Sequence, residues 1–128
     1  MRTSMTAALV AGLLAICLGA AQAQTAPAKT ADTAKGKALV DAKGMTLYIF
    51  DRDATGKSNC NGQCATNWPP LQAGADAKPS GDWTVFTRDD GAKQWAYKGK
   101  PLYLFNKDTK PGDVAGDGVN AVWHIAAP

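Results

Sequence analysis

The sequence predicts a mainly β domain: two related β-units forming one compact body, with long loops and at most one short helix. Three observations predict it. The first is an internal repeat at an offset of 55 residues, which lays Gly44-Met-Thr-Leu47-Tyr48-Ile49-Phe50-Asp51-Arg52-Asp53 over Gly99-Lys-Pro-Leu102-Tyr103-Leu104-Phe105-Asn106-Lys107-Asp108. The same offset, without a gap, lays Trp68 over Trp123. Agreement at rare residue types over a fixed period marks a duplicated structural unit. The second is the character of the matched runs, which are short, rich in aromatic and β-branched residues, and bounded by Gly and Asp. The third is that only about Gly62 to Asn67 reads as helix, stopped by Trp68-Pro69-Pro70.

The elements follow in chain order. Arg2, an apolar run from Ala7 to Ala20 and Ala21-Gln22-Ala23 make the three zones of a signal peptide, residues 1–23. The apolar run is too short for a lasting membrane span, so no transmembrane segment is expected in the mature chain. Ile16 before Cys17 is a poor context for lipid attachment, which disfavours anchoring at Cys17. The expected product is periplasmic or secreted. Residues 24–37 are Ala, Thr, Lys and Pro without apolar periodicity and read as a flexible leader. The β-rich domain is then expected over 38–128, with repeats at about 38–71 and 93–128 joined by a hairpin strand.

Met45 to Phe50 and Pro101 to Phe105 read as strands apolar on both faces. Tyr48 and Phe50 point one way, Leu47 and Ile49 the other, so both faces should be covered. Trp83 to Thr87, a turn at Asp90-Gly91, Lys93 to Tyr97 and Pro101 to Phe105 read as a three-stranded meander. Lys107 to Gly118 is a loop, and Val119 to Ile125 the last strand.

Fourteen Lys and Arg against eleven acidic residues, all of them Asp, give a formal net charge of +3. The basic residues are scattered singly among the Asp residues. Nucleic-acid binding needs a concentrated patch, so that class is excluded.

The motif Tyr-x-Phe-x-x-Asp occurs at Tyr48/Phe50/Asp53 and again at Tyr103/Phe105/Asp108. With Cys60-x-x-x-Cys64-x-x-x-Trp68-Pro69-Pro70-Leu71, Pro111-Gly-Asp113, Gly116-Asp-Gly118 and Trp123, the chain resembles the secreted-repeat family of bacterial envelope proteins. These are predicted lipoproteins with a Tyr-x-(Phe/Trp/Tyr)-x-x-Asp motif. The resemblance covers about Leu39 to Pro128 and implies an envelope location, but it brings no established activity.

In the motif, Tyr and Phe two apart share a strand face and suit a core, while Asp53 and Asp108 suit a turn that accepts backbone N–H groups. The competing reading is two pockets, each with a phenol and a carboxylate facing a ligand. Cys60 and Cys64, an even pair in an exported chain, read first as a disulfide; thiol–disulfide chemistry or a soft-metal site stay open. Trp68, Trp123 and the single histidine, His124, are candidate ligand-facing residues. Asp51-Arg-Asp53-Ala-Thr55-Gly56 imitates half of a calcium loop, but its twelfth position is Gly62 where a bidentate Glu is needed, so no metal site is assigned. No nucleophile–base pair and no phosphate loop occur, so no catalytic residue and no cofactor are assigned. The expectation is an exported, non-catalytic envelope domain that binds a protein partner or small ligand. The alternative is a redox or metal-handling accessory built on Cys60 and Cys64.

Overall fold

Among the described residues, seven strands and one short α-helix follow one another as β1 (Lys29–Thr33), β2 (Gly36–Val40), β3 (Tyr48–Phe50), α1 (Gln63–Asn67), β4 (Trp83–Thr87), β5 (Lys93–Tyr97), β6 (Lys100–Pro101) and β7 (Trp123–Ile125). The structure, a computed structural model, describes residues 26–128. The expected signal peptide and Cys17 lie outside the described residues.

Each unit opens on an antiparallel hairpin. In the first, β1 pairs with β2. Residues 29–37 were expected as part of a leader without structure, and they form this hairpin instead. The turn is made by Thr33, whose hydroxyl donates to Gly36 O at 2.7 Å and accepts Lys35 N–H at 3.0 Å, and by Gly36 at φ 106°. The β1 strand itself is polar and lacks alternation. Its order comes from β2, which is anchored in the core: Ala38, Leu39 and Val40 are buried, and Leu39 N–H donates to Ala126 O at 2.8 Å. In the second unit, β4 pairs with β5 and β5 with β6, a meander whose third strand is only Lys100–Pro101 rather than the expected Pro101 to Phe105, because the chain from Tyr103 onward turns to the central ladder.

The centre of the molecule is built from pieces exchanged between the units. β3 of the first unit pairs with β7 of the second, Phe50 opposite Trp123. Reciprocally, the 103–106 run of the second unit pairs with residues 67–70 of the first: Leu104 N–H donates to Pro69 O at 2.7 Å and Asn106 N–H to Asn67 O at 2.9 Å. Between them, Tyr48 N–H donates to Tyr103 O at 2.8 Å and Tyr103 N–H to Tyr48 O at 3.0 Å. Such i-to-j and j-to-i contacts are the mark of an approximate two-fold axis, here within one chain.

This central ladder is covered on both faces, as its apolar-both-ways strands require. Tyr48, Tyr103 and Phe105 enter an aromatic cluster with Trp68, Trp123 and Cys60, with Phe50 packed against it. On the other face, Leu47 and Leu102 enter an aliphatic cluster with Leu39, Leu71 and Ala126, with Ile49 and Leu104 packed against it.

The last strand is shorter than expected. Val119–Ala121 forms a 3-10 turn, and only Trp123–Ile125 is strand. Gly118, Asn120 and Ala121 have φ of 84°, 52° and 60°, and left-handed backbone cannot continue a ladder. The Asp90-Gly91 connection is also wider than a two-residue turn. Arg88 N–H donates to Ala92 O at 2.7 Å, and Gly91 takes φ 89°.

Candidate functional site

The two Tyr-x-Phe-x-x-Asp motifs brace each other. The Tyr48 hydroxyl donates to Asp108 Oδ2 at 2.6 Å, and the Tyr103 hydroxyl donates to Asp53 Oδ2 at 2.6 Å. Each carboxylate uses its other oxygen on its own turn: Asp53 Oδ1 accepts Asn59 N–H at 2.7 Å, and Asp108 Oδ1 accepts Ala115 N–H at 3.0 Å. The turn role expected of both Asp residues is present, with a bond to the opposite unit added to it. Burial, then the facing carboxylate, pushes both phenols well above the ordinary tyrosine range. Burial likewise pushes the Asp53 carboxyl up, against the pull of Asn59 N–H, the Tyr103 hydroxyl and the Arg88 charge.

Beside the braces stand four stacked rings. Phe105 lies over Trp68 (centroids 4.0 Å apart, 20° between planes), Trp68 over Trp123 (3.8 Å, 3°) and Trp123 over Phe50 (4.2 Å, 13°). Tyr48 meets Trp68 edge-on at 5.5 Å, and Tyr103 meets Trp123 edge-on at 5.1 Å. Ring quadrupoles favour offset or edge-on pairs over full overlap. The close Trp68–Trp123 overlap is held between two paired segments, Trp123 lying in β7 and Trp68 in the 67–70 run that bonds Leu104 and Asn106. Gly116 closes it in: a Cβ there would stand 2.8 Å from two Trp68 ring carbons and 2.9 Å from Tyr48.

On one side only, the brace runs into a buried polar chain. Ser58 Oγ lies 2.6 Å from the Tyr103 hydroxyl and accepts Arg88 Nη1 at 2.9 Å. Arg88 Nη1 also donates to Gln94 Oε1 at 2.6 Å, Arg88 Nη2 to Cys60 O at 2.5 Å, and Gln94 Nε2 to Leu102 O at 2.7 Å. The Arg88 side chain is fully buried. Its Nε has no hydrogen-bond partner, and Asp90 Oδ2 stands 3.7 Å away.

Cys60 and Cys64 form a disulfide with Cα atoms 5.2 Å apart. Cys60 is fully buried against the aromatic cluster, while Cys64 is half-buried. Cys64 lines a groove of about 360 Å³ together with Phe50, Arg52, Asn67, Asn120 and the two tryptophans. Trp68 and Trp123 are 5 % and 2 % exposed, so the groove meets the margin of the stack rather than ring faces. His124 is placed elsewhere. It stands opposite Ile49 across the ladder, and its Nε2 lies 2.7 Å from Asp51 Oδ2 in an exposed pair. Asp113 and Asp117, in the loop from Lys107 to Gly118, bind that loop and the strand after it. Asp113 Oδ2 accepts the Thr109 and Lys110 N–H groups, and Asp117 Oδ1 accepts Ile125 N–H. The Lys110 ammonium and these donors hold the Asp113 carboxyl far below the usual range.

Sequence reasoning missed Arg88, Ser58 and Gln94. Arg88 stands in Thr87-Arg88-Asp89-Asp90-Gly91, a string with the look of a solvated turn, and nothing local marks it as buried. The repeat did hold one signal: its offset places Thr33 under Arg88, Ala115 over Cys60 and Val119 over Cys64. The buried chain and the disulfide are thus departures from the duplication.

Fold and site together define a class: a duplicated β-repeat protein whose units exchange strands and brace each other through paired Tyr and Asp residues. Residues 29–72 and 84–127 each match the family described as a secreted repeat of unknown function. The two segments keep the 55-residue offset and cover more than half of the chain, which belongs to this family. The second match begins at 84, so the β4–β5 hairpin opens the second repeat rather than joining the two. No curated protein and no solved structure matches the chain.

Proposed function

We propose that the chain is an exported, non-catalytic recognition domain of the bacterial envelope, and that its contact surface is the groove over the Trp68–Trp123 stack. One observation carries this reading: the groove stands where the two repeats meet, between Arg52 and Asn67 of one and Asn120 and Val122 of the other. Its rim holds Asn120, which with the adjacent Ala121 lies in left-handed backbone at φ 52° and 60°. Asn tolerates that conformation, while for Ala121 it costs about 1–2 kcal/mol, and such strain concentrates at functional positions. The phenols and carboxylates of the repeat motifs, Tyr48, Asp108, Tyr103 and Asp53, are occupied in holding the repeats together, and the exposed His124–Asp51 pair does not line the groove. Recognition by a preformed surface is the role the groove suits, and the occupant is a protein partner or a small ligand. Among the described residues no helix is long and apolar enough to cross a membrane.

A photo-crosslinking residue at Asn120, in cells exporting the protein, tests the reading against the same residue at exposed Lys78, outside the groove. The expected result is a discrete adduct from position 120 alone. The same adducts from both positions, or none from position 120, would contradict it.

A further inference from the structure

We propose that a small anionic thiol seated in the groove reduces the Cys60–Cys64 disulfide, with Cys64 as the attacked sulfur and Cys60, whose carbonyl the buried Arg88 holds, as the leaving thiolate. This rests on the groove being the contact surface and names the class of its occupant.

The duplication supplies an internal comparison. Where the first repeat has Cys60 and Cys64, the second has Ala115 and Val119, and Val119 packs against the same aromatic cluster. Both halves of the ring stack form, one beside a cross-link and one without. Closing so short a loop stabilises by only about 2 kcal/mol on the chain-entropy model. The fold therefore has little structural need of the bond.

The two sulfurs are not equivalent. Cys60 is 0 % exposed, whereas Cys64 is half-buried and lines the groove. An incoming thiolate attacks the sulfur it can reach, and the rate rises as the leaving thiol becomes more acidic. Arg88 is the group placed to supply that acidity, against the opposing effect of the aromatic cluster that surrounds Cys60. Its guanidinium holds the Cys60 carbonyl at 2.5 Å, and its side-chain hydrogen bonds all go to neutral oxygens. Among the described residues the single carboxylate within ion-pair distance is Asp90, 3.7 Å from Nε. Arginine does not deprotonate in proteins, so this is a buried positive charge that no carboxylate hydrogen-bonds, with Asp90 at 3.7 Å and the Asp53 carboxylate acting on it through space. A thiolate formed at Cys60 adds an anion on the side of the guanidinium that meets only neutral oxygens, and a neighbouring cation lowers a thiol's pKa.

The groove selects the thiol. Its volume of about 360 Å³ suits a small molecule. Arg52 gives it a cation, and Asn67 and Asn120 give it amide groups, which together suit a thiol carrying carboxylates. In the first step the thiolate forms a bond to Cys64 Sγ, the Cys64–Cys60 bond breaks, and the electron pair leaves on Cys60. In the second step another molecule of the thiol, as thiolate, attacks the external sulfur of the mixed disulfide. The external disulfide departs, and Cys64 leaves as thiolate. Both protein thiolates then take protons from water. In sum, two thiols are oxidised to one disulfide, and two electrons and two protons reach the protein.

The test treats the oxidised full-length mature protein with glutathione, an anionic thiol, and with cysteamine, a cationic one, at equal thiolate concentration. Acid quenching and peptide mapping locate the mixed disulfide. The expected result is modification at Cys64 alone, with glutathione faster by about tenfold, as a single facing charge can produce. Arg52 is exposed, so Arg52→Glu keeps the fold and is expected to reverse the order. Arg88→Gln is expected to slow reduction by about tenfold through loss of leaving-group acidity. Should that variant not fold, titration of the reduced wild-type protein takes its place, with the Cys60 thiol expected below its ordinary value of about 8.5. A mixed disulfide at Cys60, a disulfide that opens only in denaturant, or rates indifferent to thiol charge and to Arg52→Glu would overturn the proposal. Groove-dependent crosslinks with an inert disulfide would overturn this assignment alone. A reactive Cys64 with no groove-dependent crosslink and no Arg52 effect would overturn the contact surface as well.

Discussion

Tyr103 and Tyr48 hold the chain's most demanding positions. Each phenol is fully buried, donates to a carboxylate of the opposite repeat, and accepts a second bond, Tyr48 from Gly116 N–H at 3.2 Å and Tyr103 from Ser58. Removing one hydroxyl leaves a carboxylate without its partner, so Tyr103→Phe is expected to cost about 1–3 kcal/mol in urea unfolding. The pH dependence has a defined sign. Both phenols are raised in the folded state, so the unfolded chain loses its protons first. Stability contributed by these groups is present below the ordinary tyrosine pKa of about 10 and is lost as pH rises beyond it. Tyr103→Phe should flatten that alkaline loss, and an unchanged alkaline slope would contradict the assignment. The raised Asp53 carboxyl acts in the same direction at lower pH, its contribution falling as pH rises above the unfolded Asp value.

At the scale of elements, what matters is how closely the 113–118 loop approaches the rings. A Cβ on Gly116 would press on Trp68 and Tyr48 at under 3.0 Å, with packed aromatic carbons as the neighbours. Gly116→Ala is therefore expected to destabilise by about 1–3 kcal/mol, the usual cost of overfilling a close-packed site, measurable as a lower urea midpoint at unchanged slope. The elements also show how far the sequence could be read. Strand faces were legible because Tyr48/Phe50 and Leu47/Ile49 alternate at the strand period, and both clusters form accordingly. The β1–β2 hairpin was not, because its outer strand is polar and its order comes from Leu39 bonding to Ala126, a partner far along the chain. Nor was the 3-10 turn at Val119–Ala121, where β-branched and apolar residues suggest a strand but tertiary packing imposes left-handed backbone. Of the candidate site, the motif residues and the cysteine pair were visible as types and spacing. Their cross-repeat partners were not, since spacing within one repeat carries no information about the other. Arg88 was hidden by its polar neighbours.

For the whole molecule, the duplication is a dimer-like interface made within one chain. Neither repeat completes its own ladder: β3 needs β7, and the 103–106 run needs residues 67–70. The braces follow the same rule, each phenol reaching the other repeat's carboxylate. A body built this way should open as one cooperative unit, and that unity fixes the groove formed where the repeats meet. Native-state hydrogen exchange at the Tyr48 and Tyr103 amides, which bond each other's carbonyls across the axis, tests this most directly. Both amides are predicted to exchange only through global unfolding, with protection free energies equal to each other and to the stability from denaturant melts. If one repeat's amide exchanges at markedly lower free energy than the other, the repeats open independently and the cross-braced account is wrong.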